Sequence, residues 1–355
     1  MSNQPATMPD WCLGPFERVA DGKPVLSPRR ETTFECPLRG ESVRWESDHV
    51  FNPAAVVRDG RVCLLYRAED DSGSGIGKHT SRIGLAESAD GICFSSRPHP
   101  VLFPAEDAQR ATEWPGGCED PRIVETEDGA YVLTYTQWDR KVARLAMATS
   151  RDLVRWQKHG PVFGKELGGR FRDRWSKSGS ILTRLVGDRF IATRIDGVYW
   201  MFWGEGTMYL ATSNDLRSWR VVLDDAGEPL PIAKPRPGKF DSHLVEPGPP
   251  AMLTDRGILL LYNGKNSKTL PDPALPAGIY TAGQCLFDAR DPRRLIARTD
   301  TWFLRPDRSH EVTGQYVAGT TFIEGLVRHS GRWLLYYGAA DSYVGVAVCD
   351  RILAI

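Results

Sequence analysis

Five times along the chain a glycine opens a run of apolar and aromatic residues. Gly60 leads into Val62–Tyr66, Gly129 into Tyr131–Tyr135, Gly197 into Val198–Trp203, Gly257 into Ile258–Tyr262 and Gly331 into Trp333–Tyr337. Four of these runs follow a second β-like run: Ala54–Val57, Arg122–Glu125, Ala251–Thr254 and Thr321–Val327. Glycine beside Asp or Ser is hairpin-turn chemistry, so each unit is expected to begin with two antiparallel strands. Three units then share a pattern of Ala, Ser, Asp and an aromatic at fixed offsets: Ala86–Phe94, Ala148–Trp156 and Ala211–Trp219. A strand ending at Ser, a turn capped by Asp and a last strand from the aromatic give four strands per unit. The fourth unit is degenerate around Asp288–Arg298. The third has two candidate first strands, 178–182 and 190–193.

Units one and two finish with proline-bounded segments, Pro100–Pro104 and Pro161–Phe163, and the fifth stops at Ile355 without one. A matching piece, Pro24–Pro28, stands near the N-terminus. The expected fold is therefore all-β, a five-bladed β-propeller of four-stranded blades. It would be one domain over 1–355, with residues 1–45 an N-terminal extension supplying the strand that closes the ring and removes an open edge. The alternative is five independent hairpins in a sandwich.

Composition narrows function chiefly by exclusion. Lys and Arg number 45 and Asp and Glu 45, so no electrostatic footprint for nucleic acid or an anionic membrane exists. No apolar run is long enough to span a bilayer, and Met1–Asp10 does not read as a signal peptide. Seven cysteines, an odd number with no C-x-x-C pair, fit a reducing compartment, and a cytoplasmic location is expected. Cys63 and Cys93 lie in apolar runs and are expected as small buried hydrophobes. The seven histidines show no ligand spacing, so neither a metal nor a cofactor is expected.

Three polar residues stand immediately before proline at the opening of a unit: Asn52, Asp120 and Glu246. Proline biases the residue before it to extended backbone, so Asp120 is expected extended at the start of its strand. In a propeller, strand entrances and second-strand ends crowd one mouth. The entrances offer Asn52, Glu119, Asp120, Lys177 and Glu246, and the second-strand ends Arg67, Glu69, Trp203, Glu205, Asn263 and Asp341. Carboxylates that grip hydroxyls, with Arg, Lys and an indole face, suit a sugar. Two carboxyl groups of separated acidity suit glycosidic cleavage. Each residue also has a plainer reading. Asp120 and Arg122 would make a blade-to-blade ion pair, Glu205 and Glu246 would be loop residues, and Lys177 a surface lysine. A propeller serving only to bind glycans is a third possibility.

Taken in order, Glu119-Asp120-Pro121-Arg122, Lys177–Leu182, Tyr199–Glu205, Val245–Pro250 and Tyr336–Asp341 resemble glycoside hydrolase family 130. The resemblance spans about Asn52 to Asp350. It implies a five-bladed propeller acting on β-mannosides with inversion and without a metal, either by phosphorolysis or, in a smaller group, by hydrolysis of β-1,2-mannosides. It makes Asp120 the proton donor, acting directly or through a sugar hydroxyl. It assigns Asn52, Arg67 and Asp341 to holding mannose before the cleaved bond, and Glu205 and Glu246 to activating water as in the hydrolase subgroup. Glu119, Arg122, Lys177, Trp203 and Asn263 complete the expected substrate-binding set. A phosphate nucleophile needs Arg, Lys or His donors, whereas a water nucleophile needs a carboxylate base. The reading is an inverting hydrolase of small β-mannosides, with a mannoside phosphorylase as alternative. Basic residues near Lys177, including Arg172, Arg174, Arg194 and His243, favour that alternative. Extra residues between Lys177 and Trp203 depart from the family pattern.

Overall fold

The computed structural model describes residues 8–351. Strands dominate it, in five successive antiparallel units. Unit 1 comprises His49–Arg58, Arg61–Glu69, Ser81–Ser88 and Ser95–Ser96. Unit 2 comprises Gly117–Glu125, Tyr131–Trp138, Ala143–Ser150 and Gln157–Pro161. In unit 3, Ser180–Ile181 pairs with Val198–Trp203, followed by Tyr209–Ser213 and Arg220–Val221. This settles which candidate begins that unit. In unit 4, Leu244–Pro247 and Met252–Thr254 both pair with Gly257–Lys265, ahead of Tyr280–Phe287 and Leu295–Arg298. Unit 5 holds Thr321–His329, Arg332–Ala339 and Tyr343–Cys349. Against its last strand lie Glu17–Arg18, with a further bridge from Leu26 to Val344.

The turn chemistry explains the recurrence. Asp59-Gly60, Asp196-Gly197 and Ser330-Gly331 each place two consecutive residues at positive φ, the geometry of a tight hairpin. At the other turns, Ser88, Ser150 and Ser213 accept backbone N–H bonds through Oγ, while Asp90, Asp152 and Asp215 cap the next two donors. The first of these turns lifts Cys93 out of any strand. Its thiol is exposed, contrary to the expectation of burial. The other six cysteines are buried and all seven are free.

Five apolar clusters hold the units together, each between consecutive units. One joins unit 5 to unit 1 through Val327, Leu334 and Tyr336 against Val50, Val57 and Leu64. A second device repeats within this packing. Tyr66, Tyr135, Tyr262 and Tyr337 sit on second strands and donate to buried Glu46, Glu113, Asp241 and Glu311. Each acid meets a base: Arg29, Lys158, Arg236 with Arg298, and Arg18. Glycine lies across from three of these rings, because a Cβ at Gly84, Gly283 or Gly345 would come within 2.7 Å of the tyrosine. Buried phenols need a polar partner, and the pairing supplies one without leaving a lone charge.

The extra residues of unit 3 form the hairpin Thr183–Val186 and Arg189–Ala192. It bridges in parallel to Glu125 of unit 2 and Met252 of unit 4. Phe190 enters the cluster of Trp333 and Leu261, and Arg189 forks onto Glu125. Because Glu125 ends the strand that Gly117 begins, the hairpin covers the side away from Asp120. No helix among the described residues is long and apolar enough to cross a membrane.

Candidate active site

The first strands of units 1, 2 and 5 each carry a register shift near their start: between Phe51 and Pro53, between Glu119 and Arg122, and between Ile323 and Gly325. The inserted residues include Asn52, Asp120 and Glu324. A bulge re-aims the side chain it inserts. Asn52 and Asp120 adopt φ of 47° and 49°, so the expectation of extended backbone at Asp120 fails. The proline bias is overridden because the bulge must turn both side chains onto one another. Asn52 Nδ2 donates to Asp120 Oδ1 over 2.8 Å. Left-handed backbone at such residues costs of order 1–3 kcal/mol and persists where neighbours over-determine it. Gly338 is one such neighbour, since a Cβ there would lie 2.1 Å from Asn52 Oδ1.

Cations bind this pair together. Arg67 reaches Asp120 at 3.1 Å, Glu119 at 2.9 Å and Glu69 at 2.5 Å, and its Nε donates to Ser81. Lys177 Nζ stands 3.1 Å from Asp120 Oδ2 and 4.0 Å from Glu119 Oε2. Lys177 is thus not a surface lysine; its ammonium lies among four carboxylates, Asp120, Glu205, Glu119 and Glu246, which hold it charged despite burial. Burial opposes ionisation of Asp120, but Lys177 and Arg67 outweigh it and hold its carboxyl well below the usual range. Glu119 lies on the other side of the balance. Burial, only partly offset by Arg67 and Lys177, pushes it up to about 7. Burial likewise pushes Asp341 to about 7. Glu246 rises to about 8 through burial and the neighbouring Glu205 charge. Ser178 Oγ donates to Glu246 Oε1, and Trp175 Nε1 donates to Glu205 Oε2 over 2.5 Å.

Three expected substrate contacts have other partners. Arg122 is buried and bonds to the carbonyls of Gly248, Pro247 and Asp120, with Glu324 at 3.1 Å, so it is a strut between units 2, 4 and 5. The ion pair with Asp120 that the plainer reading offered is absent, since Arg122 meets the Asp120 carbonyl and the Glu324 carboxylate instead. Asn263 spends its amide on the backbone of Ile323, accepting at 2.8 Å and donating at 3.0 Å. Trp203 is buried between Phe163 and Tyr209 and offers no open ring face. The half-exposed indole beside these carboxylates is Trp175, which bonds to Glu205 but lies outside the repeat and so carries no periodic signal. Ser178 and Glu324 lie in stretches the sequence reading singles out, Lys177–Leu182 and Thr321–Val327, but it assigns neither to the site. Asp48, His49 and His79 bring potential ligand atoms within 4.8 Å of one another. No spacing advertised this, because the chain returns from 49 to 79 through a hairpin. His79 Nδ1 is bonded to the Asp70 carbonyl and His49 Nδ1 to Ser342.

The raised carboxyls set a pH dependence. Glu119, Asp341 and Glu246 contribute stability that is full below the ordinary carboxylate range and lost as pH rises through about 7 to 8. Asp120 works oppositely, its contribution vanishing only in acid. Calorimetry on the unliganded protein is expected to show Tm falling from pH 6 to pH 9, with a shallower fall in Glu246→Gln. A flat or rising Tm would contradict these assignments.

Paired carboxyls of separated acidity around buried cations, beside a half-exposed indole, suit a carbohydrate-processing site. The chain belongs to glycoside hydrolase family 130. The family model, described as beta-1,4-mannooligosaccharide phosphorylase, matches residues 18–355. A 1,2-beta-oligomannan phosphorylase of Thermoanaerobacter sp. (strain X514) is 30% identical, with 94% of this chain and 97% of that protein covered. A solved structure of a putative glycosidase from Bacteroides thetaiotaomicron VPI-5482 is 55% identical, with TM-score 0.96 over 98% of this chain and 100% of that one. Another, described under "The GH130 family of mannoside phosphorylases contains glycoside hydrolases that target beta-1,2 mannosidic linkages in Candida mannan", is 51% identical, with TM-score 0.96 over 98% of both chains.

Proposed function

We propose that this protein is an inverting glycoside hydrolase that releases mannose from the end of β-mannosides, with β-1,2-linked manno-oligosaccharides as substrates. The observation that carries the reading is the occupancy of the cations. Lys177 and Arg67 are already held by Asp120, Glu119 and Glu69, and Glu205 and Glu246 stand near enough to Lys177 to help hold it charged. A phosphate dianion needs free basic donors and is repelled there, whereas water needs a carboxylate base. The relatives at 51% and 55% identity support hydrolysis. The names of curated relatives at 30% and 29% support the second reading, phosphorolysis giving mannose 1-phosphate.

The five units act as blades of a five-bladed propeller closed by the N-terminal segment, with the inserted hairpin flooring its centre. A blind pocket suits release of one terminal sugar. Asn52, Arg67 and Asp341 hold the terminal mannose. Glu119 and Asp120 titrate as a pair, sharing a proton near neutrality. That proton rests on Glu119 in the empty site and must reach the glycosidic oxygen through Asp120, directly or through a sugar hydroxyl. The C1–O bond breaks as it arrives. Water attacks C1 from the opposite face and loses its proton to the Glu205–Glu246 pair. Seven free cysteines support a reducing compartment. Proton NMR of the first product of β-1,2-mannobiose tests the stereochemistry. Initial α-mannose at the newly formed reducing end is expected, and initial β-mannose there would overturn inversion.

A further inference from the structure

We propose that Trp175 is a positioning residue for Glu205 and a platform for the leaving-group sugar, an inference that rests on the hydrolytic reading above. Trp175 lies between units 2 and 3, and the chain on both sides of it is fastened. Phe171 is buried, Asp173 is bonded to Arg144, and Ser176 bonds to unit 2 through its N–H to Ala143 and its Oγ from Leu145. An apolar ring held this firmly would be expected to bury itself, yet Trp175 is 50% exposed. Its N–H is spent on Glu205 Oε2, and its ring meets Trp138 edge-on, with centroids 5.8 Å apart. Trp138 is fixed in turn by its N–H to the Gly77 carbonyl and by contact with Gly116, where a Cβ would lie 2.2 Å from the ring. Two residues after Trp175, Lys177 reaches Asp120. The same short stretch therefore touches both the acid side and the base side of the site.

The chemistry of the contact decides the role. Glu205 is a flexible side chain on a glycine-flanked turn, Gly204 to Gly206, and Trp175 is the hydrogen-bond donor that holds its carboxylate. A bond from a neutral donor to a charged acceptor is stronger than one between neutral groups and fixes direction. It orients one oxygen and so fixes the plane of the carboxylate. The open indole face meanwhile offers the apolar plane against which the C–H face of a pyranose packs. Trp203, the indole expected in that role, is enclosed.

Two variants separate the functions. Trp175→Phe keeps a ring and removes the donor. With β-1,2-mannobiose its kcat is expected to fall about tenfold, the order of a hydrogen bond to a charged group. KM should stay within about twofold, and the acidic limb of the kcat profile should move to higher pH. Trp175→Ala should show the same kcat loss with KM raised several-fold. Wild-type kcat and pH profile in Trp175→Phe would overturn the positioning role while hydrolysis stood. Unchanged KM in Trp175→Ala would overturn the platform. If Trp175→Ala does not fold, Trp175→Leu, which stays apolar but has no ring plane, decides the platform: KM raised for β-1,2-mannobiose and not for a substrate lacking the leaving sugar is expected, and an equal KM ratio for both substrates overturns it. Should wild-type enzyme form mannose 1-phosphate only with phosphate, the hydrolytic reading falls first, and the role given to the Trp175–Glu205 bond falls with it.

Discussion

Asp120→Asn is expected to abolish turnover while mannose binding persists. The substitution is nearly isosteric, and Asn52, Arg67 and Lys177 surround the position on three sides. The bulged backbone, with φ of 49°, is one that asparagine tolerates well. The pocket should therefore keep its shape. The amide, however, cannot pass a proton to the leaving oxygen. Loss of general acid catalysis costs about 10²–10⁴ in rate, and an alkoxide leaving group without a proton lies at the severe end. Kinetics together with calorimetric titration of mannose check this. A wild-type rate in the variant would sink the assignment of Asp120.

Glu246→Gln should be the second most damaging change. Gln keeps the length of the side chain and can still accept the bond from Ser178. On the proposed mechanism it removes one of the two carboxyls that receive the proton of water, so kcat should fall about 10²–10⁴-fold with KM little altered. The same variant should be more stable than wild type at pH 8, because a buried carboxyl pushed up to about 8 no longer has to ionise there. Rate and Tm moving in opposite directions is a signature that simple damage to the pocket would not give. Loss of both would point to a structural role for Glu246.

Much of the fold was legible because it repeats. A turn such as Asp59-Gly60 fixes a hairpin locally, and the recurring Ser and Asp caps mark where each third strand ends. The proline pairs Asn52-Pro53 and Asp120-Pro121 identified two residues that do meet. Their backbone was misread, because a bulge is decided by pairing with the second strand and not by local preference. Arg122, Asn263 and Trp203 looked like ligand contacts since Arg, Asn and Trp suit sugars. Whether such a residue faces the mouth or a neighbouring unit depends on packing between strands far apart in sequence. Trp175 went unseen for a related reason. It belongs to the irregular connection between units 2 and 3, where no period marks a position. The tyrosine–acid–base sets were hidden likewise, since their acids come from connections of unequal length, two from loops and two from short helices.

Hydrolysis instead of phosphorolysis is the central claim, and one time course tests it. Purified enzyme acts on β-1,2-mannobiose with and without inorganic phosphate, and both mannose and mannose 1-phosphate are measured. Free mannose at equal rate in both reactions, with no mannose 1-phosphate, is the predicted result. Mannose 1-phosphate formed only when phosphate is present would contradict it, and would mean that Lys177 and its basic neighbours accept the anion despite Glu205 and Glu246.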